Sequence, residues 1–302
     1  MGNFRISMKQ RLGFNFFDIF YMSFCGIFAV LCFYPLWFVF LGSIYPVTNA
    51  EASMPMLIPN FVPTFEYYLA IFKDRAIQQS LGVSFLKTIL ASVGSIIITS
   101  MMAYSVSKKK KGMNIINVLI ILTMYFGGGL IPTFLWYVKL DLYNTFWVMV
   151  IPGWVNTFNF ILMRNYFNFS VPHDLEDASL IDGANEMHLF FKIIIPISVP
   201  MLAALFLFEA VGNWNDWVSY LMFVNDIRLM PMTMVLQNLI RRAYTFTGST
   251  SGTSGAPDTA ILIVPRSIIM STIMVAILPI ILLYPFLQKY FIKGILIGAI
   301  KE

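Results

Sequence analysis

Apolar runs long enough to cross a bilayer recur along this chain: Phe17 to Ile44, Leu81 to Val106, Asn114 to Tyr137, Tyr143 to Phe167, Ile193 to Val218 and Ile261 to Pro285. A hydrocarbon core about 30 Å thick needs about 20 residues of helix, and lipid offers a bare backbone no hydrogen-bond partner. Each run is therefore predicted to be a helix, giving six membrane spans. Composition agrees, with 58% hydrophobic and 12% charged residues over 302 positions, against about 45–50% and 25% in soluble domains. The predicted class is an all-α integral membrane protein.

The net charge of +5 does not point to nucleic acid, because the basic residues cluster at the ends of apolar runs rather than along one face. Arg5, Lys9 and Arg11 precede the first run, and Lys108 to Lys111 fill a short connection. Arg164 and Lys192 flank the fourth connection, and Lys289, Lys293 and Lys301 follow the last run. The positive-inside rule then puts both termini in the cytoplasm. The lysine run itself reads as a solvated loop facing anionic headgroups. The first run exceeds the about 7–15 residue core of a signal peptide and lacks a small-residue cleavage site, so it is expected to stay as an anchor. Cys25 and Cys32 form no ligand or disulfide pattern and read as packing residues. His173 and His188, the only histidines, have no nearby cysteine ligand or nucleophile, so no metal site or catalytic residue is expected.

Two outer segments are long: Tyr45 to Ser80, with several prolines, and Asn225 to Ala260, which holds the Gly/Ser-rich tract Gly248 to Pro257. The cytoplasmic connection Val171 to Pro196 differs from everything around it, because charged and small residues replace the apolar sequence. Pro172 suits a first helical position, and Asp174, Glu176 and Asp177 suit a helix N-terminus. Leu175, Ala178 and Ile181 share a face, Asp182-Gly183 ends the helix, and Asn185 can cap a second one that bends at Pro196. The predicted product is a helix-turn-helix knob.

Within that knob, Asp177-Ala178-Ser179 is followed after three residues by Gly183, and after nine more by Ile193-Ile194-Ile195-Pro196. This resembles the cytoplasmic loop of the membrane subunits of binding-protein-dependent ABC importers: Glu-Ala-Ala, three residues, Gly, nine residues, Ile-x-Leu-Pro. Asp177, Ser179 and Ile195 depart from that pattern conservatively. The Leu175 to Ala184 version resembles the carbohydrate-uptake branch, in particular its maltose-permease-like second subunit. Phe126 to Thr133 and Tyr290 to Lys301 look like oligosaccharide permeases of the LplC or YtcP kind.

The resemblance implies a type I importer transmembrane fold in a bacterial plasma membrane. Residues 1–76 would hold the tail, first span and outer loop, residues 77–288 the transmembrane domain, and 289–302 a cytoplasmic tail. The knob would be a coupling helix seated on a separate ATPase, with Glu176, Asp177, Ala178, Ser179, Asp182, Gly183, Ala184 and Pro196 in that role. The implied partners are a second homologous permease, two ATPase subunits that bind ATP and magnesium, an extracytoplasmic solute-binding protein and a carbohydrate cargo. This chain would bind no cofactor itself. It has no Gly-x-x-x-x-Gly-Lys-[Ser/Thr] phosphate loop, so hydrolysis by that route falls to another polypeptide.

Polar residues within spans are costly and usually face a cavity or a partner helix. Candidates for the path are Asn156 and Asn159 in the fourth span, Glu209 in the fifth, and Asn213, Trp214, Asn215, Asp216 and Trp217 at its end. Rings stack on sugar C–H faces while amides and carboxylates bind hydroxyls. Trp at a span end is equally an interfacial anchor, and Asn pairs also join helices. Gly127 to Gly129 with Pro132, Pro152 with Gly153, and Pro196 with Pro200 mark interruptions that must line protein or water. The alternative class is a gradient-driven secondary transporter with Glu209 or Asp216 as the coupling acid. It would not need the cytoplasmic knob.

Overall fold

The structure, a computed structural model, describes residues 16–46, 62–108, 110–172, 175, 178–179, 181–249 and 266–299. Every regular element among them is helical. In chain order the helices are α1 (Phe16–Ser43), α2 (Glu66–Lys73), α3 (Arg75–Ser107), α4 (Met113–Tyr125), α5 (Leu130–Lys139) and α6 (Thr157–Phe169). They continue with α7 (Glu186–Ile197), α8 (Val199–Asn215), α9 (Val218–Phe223), α10 (Met232–Ser249) and α11 (Arg266–Ala299). Two compact units result, Met1–Tyr68 with Val264–Met274, and Leu69–Ile263 with Val275–Glu302.

In the first unit, small residues let α1 and the start of α11 approach closely. Ser271 Oγ donates to Ser43 O at 2.8 Å, Ser267 Oγ donates to Tyr45 O at 3.1 Å, and a Cβ on Gly42 would run into the Met270 sulfur. The rest of α1 turns outward: Phe17, Phe20, Phe24, Phe28 and Leu31 are all more than half exposed. Such a surface is stable only when lipid solvates it.

In the second unit α3 is the central post, against which α6, α8 and the 3-10 turn Ile151–Trp154 pack. Its buried stripe is made of small residues: Ser84, Ala91, Ser92, Ser95, Thr99 and Ala103. Between helices in lipid there is little hydrophobic drive, so close backbone approach and dispersion have to supply the adhesion. Gly94 shows how tight the fit is. A Cβ there would overlap the Trp154 indole, whose Nε1 donates to Leu90 O at 3.2 Å.

Four helical stretches are long and apolar enough to cross a membrane, and two bent pairs bring the number to six if each pair is one span. The expected third and fifth spans are therefore not straight. The third is α4 and α5, bent by 115° at Phe126 to Gly129, where Gly129 has φ +82°. The fifth is α7 and α8, bent by 78° at Ser198, between Pro196 and Pro200, which lack the N–H that a continuous helix needs. The fourth opens as two 3-10 turns, Phe146–Met149 and Ile151–Trp154, before α6 begins.

Both long outer segments contain helix. Within the described residues of Tyr45 to Ser80 lie α2 and the start of α3, the latter capped by Asp74, which accepts from Ala76 N at 2.8 Å. Within Asn225 to Ala260, α10 runs to Ser249 because Met232, Val235, Leu236, Leu239 and Ile240 recur with helical spacing. Gly248 and Ser249 close that helix, and the rest of the Gly/Ser tract lies outside the described residues.

Candidate functional site

The knob grows out of a packed base. Val171, Phe167 and Met163 bury against Leu189, Phe190 and Ile194 of α7, Ala103 and Tyr104 of α3, and Leu205 of α8. Above that base, Leu175, Ala178, Ser179 and Ile181 are helical, and Ser179 Oγ donates to Leu175 O at 2.7 Å. Asp182 N donates to Ala178 O, and Ala184 N reaches back to Ser179 O at 3.0 Å across Gly183, whose φ is +80°. That left-handed residue followed by a six-to-one bond is how helices end when glycine is available. Asn185 Oδ1 then accepts from His188 N at 2.7 Å and starts α7. Glu176 and Asp177 lie outside the described residues, as do His173 and Asp174. Ile181 at the tip is 85% exposed, and Leu175 and Met187 are also exposed. Pro196 sits in the last turn of α7, just before the bend.

The lysine run does more than face solvent. Lys110 Nζ donates to Glu186 Oε1 at 2.6 Å, and Lys108 lies over the Tyr104 ring at 4.6 Å. Tyr104 in turn packs on Phe190 at 4.9 Å. The Lys110 hydrogen bond, aided by the charges of Lys110 and Lys108, holds the Glu186 carboxyl below the usual carboxylate range. Charge counting found the run but not its partner, which lies 76 positions away.

The polar candidates within the spans divide into two groups. Asn156 caps α6, accepting from Asn159 N at 3.2 Å, and both amides turn toward Glu209 of α8. Glu209 Oε1 accepts from Asn156 Nδ2 at 3.1 Å and from Asn159 Nδ2 at 2.5 Å. Its Oε2 accepts from Asn213 Nδ2 at 3.2 Å, one turn along α8. The Ser95 hydroxyl of α3 approaches the same carboxylate without reaching hydrogen-bond geometry. These residues border a cavity of about 350 Å³, with Phe158 and Phe208 on its walls.

Trp214 to Trp217 face elsewhere. Trp214 is buried, donating to Ala276 O at 3.0 Å with Phe85 edge-on against it. Asn215 donates back to Val211 O, and Trp217 carries the Arg241 guanidinium 5.8 Å from its ring. Asp216 pairs with Lys87 of α3, whose Nζ donates to both Asp216 Oδ2 and Asp216 O at 2.7 Å. Lys87 is 1% exposed and is absent from the sequence-derived candidates. Its signal was there, since a lysine in the middle of an apolar run is by itself a pointer to a buried partner. Phe158 and Phe208 gave no such signal, being two more aromatics in aromatic-rich spans.

A family model described as "Binding-protein-dependent transport system inner membrane component" matches residues 95–297. The polygalacturonan/rhamnogalacturonan transport system permease protein YtcP of Bacillus subtilis is 34% identical over 97% of this chain and 100% of its own. Protein LplC of the same organism is 36% identical over 94% of this chain and 95% of its own. Among solved structures, a bacterial ABC transporter involved in import of the acidic polysaccharide alginate contains a chain that superposes with a TM-score of 0.80 at 28% identity. It covers 93% of this chain and 98% of that one. A chain in the alginate transporter complexed with its pentasaccharide-bound periplasmic protein shares the fold at TM-score 0.58 and 11% identity, over 90% of this chain and 92% of that one.

Proposed function

The chain belongs to the family of binding-protein-dependent transport system inner membrane components, and on that premise we propose that it forms one half of the membrane path of an ATP-driven importer for carbohydrate, of oligosaccharide size. Both termini lie in the cytoplasm, and a second homologous permease completes the path. Two separate ATPase subunits bind ATP and magnesium and perform the hydrolysis, and a solute-binding protein on the outer side delivers the cargo. This chain contributes no cofactor and no catalytic group.

The observation that carries the mechanism is the knob, a stiff projection held on one side by the buried base around Leu189 and Phe190 and on the other by Lys110 to Glu186. Its second helix, α7, runs without a loop to the bend at Ser198. Force applied at Ile181 and Met187 is thereby delivered to the bent α7 and α8 pair, which carries Glu209 and Asn213. A motor subunit that grips the exposed apolar tip and moves with nucleotide state can thus alter the path one helix away. Outward and inward access follow as two positions of the same lever. Carbohydrate as cargo is supported by a relative named for polygalacturonan/rhamnogalacturonan transport, by a solved transporter involved in alginate import, and by the amide, carboxylate and aromatic composition of the Glu209 cavity.

Purification of the tagged chain from its native membranes in mild detergent tests the division of labour. The expected result is a complex with an ATPase polypeptide and a second permease. A chain that purifies alone, with no ATPase activity in the preparation, contradicts the reading.

A further inference from the structure

The cavity beside Glu209 carries an electrostatic preference that its membership of a transport path does not dictate. Its volume, about 350 Å³, falls at the small end of the range for small-molecule sites, about 300–1,000 Å³. That space admits a sugar ring. Phe158 and Phe208 present ring surface to it, each more than half exposed. Glu209, only 7% exposed, forms the polar wall together with Asn156, Asn159 and Asn213. Among the described residues, none that lines the cavity is Lys or Arg. The buried cation of the same unit, Lys87, is already committed to Asp216.

We infer that this cavity is a subsite for a neutral saccharide ring and that Glu209 makes it reject uronate-containing glycans. The inference rests on the reading of the chain as a carbohydrate permease and narrows its cargo. A carboxylate has about four acceptor positions, and three asparagine N–H groups occupy three of those on Glu209. An acceptor position and the remaining amide valences are left to meet sugar hydroxyls, while the phenylalanine faces meet the apolar C–H faces of the ring. A uronate in the same place brings a second carboxyl group against the first, with no guanidinium or ammonium supplied to the wall by this chain, so that the two cannot both ionise without a large cost. Juxtaposed like charges are strongly disfavoured. The relative named for polygalacturonan/rhamnogalacturonan and the solved transporter of the acidic polysaccharide alginate are both associated with acidic glycans. The charge in this cavity argues that the present chain does the opposite.

The test uses the complete importer, with its own binding protein, in proteoliposomes holding ATP. Uptake is measured for a panel of neutral trisaccharides (galactotriose, arabinotriose, xylotriose and raffinose) and for trigalacturonate, with ATPase activity recorded in the same vesicles. The expected result is uptake of at least one neutral member, and uptake of trigalacturonate lower by about tenfold or more. Glu209→Gln should slow neutral uptake about tenfold and narrow the neutral-to-acidic ratio. Phe158→Leu, outside the hydrogen-bond network, should slow neutral uptake about threefold without narrowing that ratio. Trigalacturonate carried as fast as the neutral sugars overturns the inference and leaves the importer reading intact, as does a ratio that ignores Glu209→Gln. ATPase activity with no member of the panel imported removes the saccharide subsite while keeping the importer. Vesicles without ATPase activity, or with uptake that needs no ATP, overturn the importer reading itself.

Discussion

Lys110 Nζ lies 2.6 Å from Glu186 Oε1, so the turn after α3 is tied to the first residue of α7, where the knob returns to the membrane. Both side chains are more than half exposed, and exposed pairs of this kind contribute only about 0–1 kcal/mol. The pair matters for where it holds the knob more than for how firmly.

Glu186→Gln should therefore leave insertion and thermal stability nearly unchanged while lowering ATP-driven uptake about two- to threefold, an effect below about 1 kcal/mol. Because the Glu186 carboxyl is held below its ordinary range, its contribution is complete above the unfolded value and fades only as pH falls through the lower folded one. Uptake by wild type and Glu186→Gln should hence keep a constant ratio from neutral to mildly acidic pH. A ratio that collapses toward one within that window counts against the pairing.

Gly183 sits at φ +80° with no atom near the place a Cβ would occupy, so any penalty there comes from the backbone and not from a clash. Gly183→Asn, which tolerates the left-handed region, should retain most uptake. Gly183→Val should abolish it while the protein still reaches the membrane at normal levels, since a β-branched residue strains that conformation by about 1–2 kcal/mol or more. Equal transport by the two variants, measured with membrane abundance matched by immunoblot, would remove the turn from the mechanism.

Lys87 and Asp216 join α3 to the end of α8 through two short bonds. Asp216→Ala removes the counter-charge of a fully buried ammonium, leaving it the residue 216 main-chain oxygen, and should cost about 3–5 kcal/mol, seen as a large drop in the thermal midpoint of the detergent-solubilised complex. Lys87→Met combined with Asp216→Asn removes both charges and should recover most of that loss. A double variant no more stable than Asp216→Ala alone would mean that the pair is not the cause.

Gly94 admits no side chain while Trp154 occupies its present place. Gly94→Val should destabilise the α3 contact with the 3-10 turn by about 1–3 kcal/mol. Gly94→Val with Trp154→Ala should be milder than Gly94→Val alone, as scored by the monodisperse fraction after heating.

The helical class and the knob were legible because both are written in local spacing. Apolar runs set the spans, and Asp182-Gly183 followed by Asn185 sets a stop and a start. The Asn156, Asn159, Glu209 and Asn213 group was half legible, since i,i+3 and i,i+4 offsets put each pair on one helix face, while the meeting of the two faces is a tertiary fact. Trp214 misled because adjacent helical residues point about 100° apart. Asn213 faces the cavity, and its neighbour turns into the bundle toward Ala276. The breaks between α4 and α5 and between α7 and α8 were legible as interruptions at Gly127 to Gly129 with Pro132 and at Pro196 with Pro200, while hydropathy averages cannot register the angle of a bend. Lys87 was lost for the same reason, one charge disappearing into a mean, with its partner 129 positions away.

The most direct measurement is solute uptake by proteoliposomes holding the complete complex, with ATP, with a non-hydrolysable analogue, or with an imposed proton or sodium gradient and no nucleotide. The account predicts accumulation with ATP only, lost in vesicles carrying Gly183→Val. Accumulation driven by either ion gradient without ATP, or unaltered by Gly183→Val, would contradict it.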